Sequence, residues 1–152
     1  MTDIEILTKY LFTDESSSIP STGFLFNLIT PSGDDEKGLG EGHTGYEIKF
    51  LSEKHTEKMR FDLNLGYSFI KEGVDHLFYS FGAEYRISQK IHLVSEIVGE
   101  ADYRGKNEDP LFLLGGFQFH IKGLQIDTGM RFGLTKETPD YSLVVGITAP
   151  LN

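Results

Sequence analysis

The stretch KMRFDLNLGYSFI, residues 58–70, separates into two sets when every second residue is read. Met59, Phe61, Leu63, Leu65, Tyr67 and Phe69 form an apolar set, and Lys58, Arg60, Asp62, Asn64, Gly66 and Ser68 form a polar one. Successive side chains of a β-strand point to opposite faces, so this alternation predicts a strand with one apolar and one polar face. The fold turns on which environment each face meets. In a soluble barrel the apolar face points inward, whereas in a membrane barrel it points outward at lipid.

Working outward from residues 58–70, similar alternation recurs at 3–12, 22–30, 45–52, 76–87, 91–103, 111–122, 124–135 and 141–149, which makes nine candidate strands. The stretches between them, such as EKHTE, KEGVD, SQK, KG and KETPD, are rich in turn formers and mostly short enough for direct hairpins. The chain therefore reads as an up-and-down meander with no convincing helix. One hairpin can be registered in advance. If Lys122-Gly123 is a two-residue loop, Ile121 faces Leu124, Phe119 faces Ile126 and Phe117 faces Thr128, while His120 faces Gln125 and Gln118 faces Asp127. Apolar then opposes mostly apolar and polar opposes polar.

Bulk composition narrows the classes. With 152 residues the chain is long enough for one domain. Its 14 Lys+Arg against 23 Asp+Glu give a net charge of −9, which argues against nucleic acid as a partner. The absence of cysteine excludes a disulfide framework, a thiolate metal site and a thiol nucleophile. No apolar run is long enough for a transmembrane helix. The opening MTDIEILTKYLF has no basic region followed by an apolar one, so it does not read as a signal peptide. A location in the bacterial outer membrane carries the expectation that such a segment has been removed.

Three features favour the apolar face outward. The longer candidate strands match the roughly 9–11 residues that cross a bilayer when tilted. Tyr10, Tyr46, Tyr67, Tyr85, Tyr103 and Tyr141 lie near strand ends on the apolar parity, as an interfacial aromatic girdle would. The polar parity carries Arg60, Asp62, Glu84, Arg86, Glu96, Glu100, Gln118, Asp127 and Arg131 among glycines, a mixture suited to a confined, wet lumen. Loop lengths also alternate: connections at 54–57, 88–90 and 122–123 are tight, and those at 32–44, 71–75, 104–110 and 136–140 are longer and more charged. The connection at 13–21 is longer than that scheme wants. The expected fold is an all-β, antiparallel, up-and-down transmembrane β-barrel of about nine or ten strands.

Several segments resemble a known family. PSGDDEKGLGEGHTGYEI (31–48) is similar to a strand–loop–strand of the pattern PTGD…GLGSG…DY, and NLGYSFI (64–70) to a strand NLGYTF. FYSFGAEYRIS with LVSEIVGE (78–88, 93–100) resembles Y…ALEY…L…ELYGE. RFGLTKETPDYSLVVGIT (131–148) resembles a closing hairpin GFGLTDDAPDY…GLT. These patterns belong to the outer-membrane family named for the MetA pathway of phenol degradation, also called transporter-like, and the likeness covers most of the chain. It implies an outer-membrane barrel, with a channel for small hydrophobic or aromatic compounds as the implied role. Two departures stand out. The family ends in an aromatic such as YRF, whereas this chain ends TAPLN. Single-chain bacterial barrels have even strand numbers, so nine strands carry the expectation of at least one missing N-terminal strand, or of a protomer that closes with another chain.

Candidate sites are few. Arg60, Asp62, Glu84 and Arg86 come from adjacent strands and are expected to form a charged ladder, with Asp127 and Arg131 offering the same on the eighth strand. Asp34, Asp35, Glu36 and Glu41 read as a solvated acidic loop rather than a calcium site, because their spacing is not that of an EF-hand. Gly38-Leu39-Gly40-Glu41-Gly42 precedes no helix, so a phosphate cradle is rejected. His43, His55, His76, His92 and His120 are scattered, the last two in different hairpins, and no metal site is expected. No G-x-S-x-G elbow appears, and neither an enzyme nor a cofactor is expected.

The expected function is a passive outer-membrane channel or transporter-like protein for small molecules, with lipid or detergent around it and homo-oligomerisation left open. Two alternatives stand beside it: a salt-bridge-filled membrane barrel without transport, and a soluble lipocalin-like barrel that binds lipid.

Overall fold

The computed structural model describes residues 2–33, 37–39, 42–70, 75–102 and 109–150. Nine strands follow one another: β1 (Ile4–Thr13), β2 (Ser21–Thr30), β3 (Gly45–His55), β4 (Met59–Ile70), β5 (His76–Arg86), β6 (Ile91–Asp102), β7 (Leu111–Ile121), β8 (Leu124–Gly133) and β9 (Tyr141–Thr148). They form one sheet in sequence order, and each strand is antiparallel to the next. No α-helix occurs among the described residues. The chain is thus an all-β, antiparallel, up-and-down meander, as its alternation requires.

Boundaries agree with the sequence pattern to within two residues except at β3, which runs three residues further, to His55. The reason lies in the β1–β2 connection. The Lys54 ammonium donates to the backbone carbonyl of Ser16 and lies 3.3 Å from Glu15 Oε1, and the backbone N–H of His55 donates to the same Glu15 oxygen at 2.7 Å. This long-range clamp holds residues that read locally as a turn in extended conformation.

The two faces separate by parity. Cross-strand pairing places Glu53, Asp62, Gly82 and Glu96 in one row, followed by Leu114, Arg131 and Ser142. The opposite face carries Phe24, Ile48, Leu65, Phe81, Ile97, Leu113 and Val145, all exposed. Among the described residues no hydrophobic side chain is buried, and the buried ones are polar: Asn27, Glu47, Ser68, Asp75 and Thr138. The aromatic rings of the apolar face pack sideways along it, as with Phe12 stacked on Phe24 at 5.2 Å and Phe61 on Phe81 at 6.2 Å.

The sheet is not closed, and β1 makes no contact with β9. Because nine is odd, the two edge strands run in the same direction. Curvature nevertheless brings β4 through β9 around one cavity of about 400 Å³. The tight connections at 56–58, 87–90 and 122–123 lie at one end of the sheet, together with the longer 14–20 connection. At the other end β2, β4, β6 and β8 finish and β3, β5, β7 and β9 begin.

Candidate functional site

Alternation on β3 to β8 delivers a run of charged and polar side chains to the polar face near the short-turn end. Arg60 of β4 is its hub. Its Nε lies 3.1 Å from Asp62 Oδ2 on the same strand and 3.2 Å from Glu53 Oε2 on β3, and its Nη1 lies 4.0 Å from Glu84 Oε2 on β5. Glu84 is shared: its other oxygen sits 2.6 Å from Nδ1 of His92 on β6, at ion-pair distance but off the angle of a hydrogen bond. His92 in turn contacts His120 of β7, with ring centroids 4.5 Å apart. A continuous chain of polar contacts therefore crosses β3, β4, β5, β6 and β7.

The cavity beside this chain is lined by Arg60, Asp62, Glu84, Glu96, Gln118 and Asp127, with Val94, Leu114 and Val144 adding apolar wall. Gly82 and Gly129 contribute no side chain to its floor; a Cβ at 82 would come into ordinary contact with Asp62, whereas one at 129 would press on the β7 backbone at Gly115. Polar groups beside apolar wall can hold water and small amphipathic solutes, and the carboxylates outnumber the one arginine. Towards the long-loop end, His76 Nδ1 meets Glu100 Oε1 at 2.6 Å, and Lys49 bridges Glu47 at 2.8 Å while its ammonium lies 5.5 Å from the centre of the Phe78 ring.

The nine charged and polar residues expected on this face all share its parity, but the expected ladders are only partly formed. Arg60, Asp62 and Glu84 come together. Arg86 does not join them and makes no ion pair among the described residues: it ends β5 opposite His92, and Glu84 is already taken by Arg60 and His92. Asp127 and Arg131 are not paired either. Four residues apart on one strand, they are separated by roughly 13 Å of backbone, and each finds another partner. Asp127 accepts from Gln125 Nε2 at 2.9 Å, while Arg131 donates to Ser142 Oγ at 3.4 Å and lies over the Phe112 ring at 4.9 Å.

On the apolar face, Tyr10, Tyr46, Tyr67, Tyr85 and Tyr141 are all exposed. Tyr46, Tyr67 and Tyr141 stand at the long-loop rim, and Tyr10 and Tyr85 at the short-turn rim. Tyr103 lies outside the described residues, as do Asp34, Asp35, Glu36 and Glu41 of the acidic loop. Among the described residues no three metal-ligating side chains converge on one point.

The histidine pair is what sequence reading missed. Read as members of different hairpins, His92 and His120 in fact lie on consecutive, paired strands, and β6–β7 pairing sets His92 opposite Gln118, one diagonal step from His120. Extending the register from the Lys122-Gly123 turn by one more strand was the available signal.

The fold and this face define a class: an antiparallel meander with its charges on one side and its large apolar side chains bare on the other. Residues 1–149 match the family model described as "Putative MetA-pathway of phenol degradation", and the chain belongs to that family. No curated protein matches the chain.

Proposed function

We propose that the protein is a bacterial outer-membrane β-barrel acting as a passive channel or transporter-like protein for small molecules. On this reading the apolar face meets lipid and the polar face lines a wet lumen. The observation that carries it is the inversion of burial: no hydrophobic side chain is buried among the described residues, while Leu143, Val145 and Ile147 are more than two-thirds exposed. Leaving such side chains in water forgoes about 1.5–3 kcal/mol each relative to full burial, a loss that hydrocarbon removes. Tyrosines at both rims suit the headgroup layers. The family name connects the chain to phenol degradation, and small aromatic compounds are the solutes the reading favours.

The bilayer adds one requirement. Unpaired strand edges are not tolerated in hydrocarbon, so β1 and β9 must gain ladder partners on insertion. Since both run the same way, they meet directly only in parallel, or through an odd number of intervening antiparallel strands.

The first test is gel mobility. Protein refolded in mild detergent is run in SDS unheated and boiled, beside a detergent-free sample. A band that shifts on boiling is the expected result. A chain soluble without detergent and showing no shift would overturn the membrane reading. Planar-bilayer recordings and liposome swelling then test transport. The Arg60 network favours one second reading, a barrel filled by salt bridges that inserts but does not conduct.

A further inference from the structure

His120 stands at a choice between two partners. On β7 it is one diagonal step from His92 of β6, and one diagonal step on the other side from Asp127 of β8, because Gln118 pairs with both His92 and Asp127. Diagonal neighbours on one face lie about 7–8 Å apart, within reach of an imidazole that changes rotamer. In the structure His120 takes the His92 side, with the rings 4.5 Å apart and inclined at 51°. Its Nε2 is buried without a hydrogen-bond partner.

Charged side chains of both signs stand on the strands around the pair. β4 contributes Arg60, β5 contributes Glu84 and Arg86, β6 contributes Glu96, and β8 contributes Asp127 beside the amide of Gln125. Lys90 and Lys122 stand in the adjoining turns, and the Lys90 carbonyl accepts the backbone N–H of His120. The Glu84 carboxylate lies against His92. On the His92 side a protonated His120 has no acceptor for its buried Nε2–H, whereas the Asp127 carboxylate on the other side accepts only from the neutral Gln125 amide among the described residues.

We propose that His120 is a proton-operated arm at the edge of the cavity: neutral, it lies against the His92 ring; protonated, it swings to Asp127. Asp127 and Gln118 both line the cavity, so the swing changes its shape and its charge. This gives acid control over the solute path and rests on the reading of the polar face as a wet lumen.

Isotope-labelled full-length protein in detergent micelles provides the test, by NMR between about pH 8 and pH 5, the window in which imidazole titrates. The expected result is a ring-to-ring nuclear Overhauser contact between His92 and His120 at the high end that disappears at the low end, where a contact of His120 with residue 127 replaces it. Asp127→Asn should leave the high-pH contact intact and abolish the new acid-state contact of His120 with residue 127. His92→Phe, which keeps an aromatic neighbour, should leave the acid-state contact of His120 with residue 127 in place. Persistence of the His92–His120 contact at pH 5, or an acid-state contact of His120 with residue 127 that survives Asp127→Asn unchanged, overturns the proposal. These readouts do not require conductance, so a barrel that fails to conduct would sink the channel reading and leave this test standing.

Discussion

The ring of Tyr79 lies across Gly99, its pair partner on the adjacent strand, and fills the space that any side chain at 99 would need. Both residues sit on the apolar face in mid-sheet. The glycine lets a large aromatic lie flat along the sheet. Gly99→Ala should displace the ring, and because the atoms it meets are the free end of the tyrosine the cost should fall below the roughly 1–3 kcal/mol of overpacking in a closed core. Urea midpoints of protein refolded in detergent micelles would measure it. Tyr79→Ala added to Gly99→Ala should recover part of the loss. If Gly99→Ala leaves the midpoint unchanged, the ring is not held there.

Arg60 serves Glu53, Asp62 and Glu84 at once, yet its side chain is 43% exposed. Water screens such pairs, so Arg60→Ala should cost only about 1 kcal/mol or less. The larger effect should be on permeation, since removing the one arginine among the cavity's carboxylates should raise preference for cations in reversal-potential measurements. Glu84→Gln in the same background should reverse part of that change. Unaltered selectivity in both variants would separate this face from the solute path.

Much of this arrangement was legible in the sequence because it follows from parity. The alternation in residues 58–70 fixed the two faces of β4, and the Lys122-Gly123 turn fixed five cross-strand pairs, all of which the β7–β8 ladder contains. What parity does not supply is which same-face neighbours touch. Arg86 shares the face of Arg60 and Glu84 but is excluded because Glu84 has a second partner in His92. The extension of β3 to His55 depends on Glu15, 40 residues away in sequence. Tyr79 and Gly99 look unrelated until β5 and β6 are registered. Such contacts are decided by twist, reach and competition among side chains, and strand-by-strand reading omits all three.

Glu15 clamps the 14–20 connection onto the end of β3. The backbone N–H of His55 is the largest influence holding its carboxyl at about 2 rather than 4.5, followed by the His55 ring and then, against the opposing effect of desolvation, Lys54. A depressed carboxyl pKa stabilises the folded form where the unfolded carboxyl would also be ionised. The clamp should therefore be intact above about pH 4.5, weaken as the pH falls and be lost near pH 2. Limited proteolysis with an acid protease, read at residues 14–20, should show cutting that increases over that window. Glu15→Gln should be cut at every pH with little pH dependence. Equal resistance of the two proteins at pH 5 would show that the carboxylate holds nothing.

The hairpin between β7 and β8 turns on two residues with positive φ, Lys122 at 48° and Gly123 at 86°. Both central positions of this turn want residues that tolerate the left-handed region, and its twist matches that of the flanking strands. Gly123 meets that need without strain, whereas Lys122 carries a Cβ in a region that favours glycine and asparagine. Gly123→Ala should destabilise by about 1 kcal/mol. Lys122→Asn should stabilise by a few tenths of a kcal/mol, because asparagine enters that region more readily. Nothing within 4 Å awaits a Cβ at position 123, so crowding cannot account for a loss there and backbone strain alone is read. Urea midpoints of the two variants in one detergent test the sign of each change. A stabilising Gly123→Ala would mean that the turn adopts another geometry, and the His120–Gln125 register beside it would then need to be redrawn.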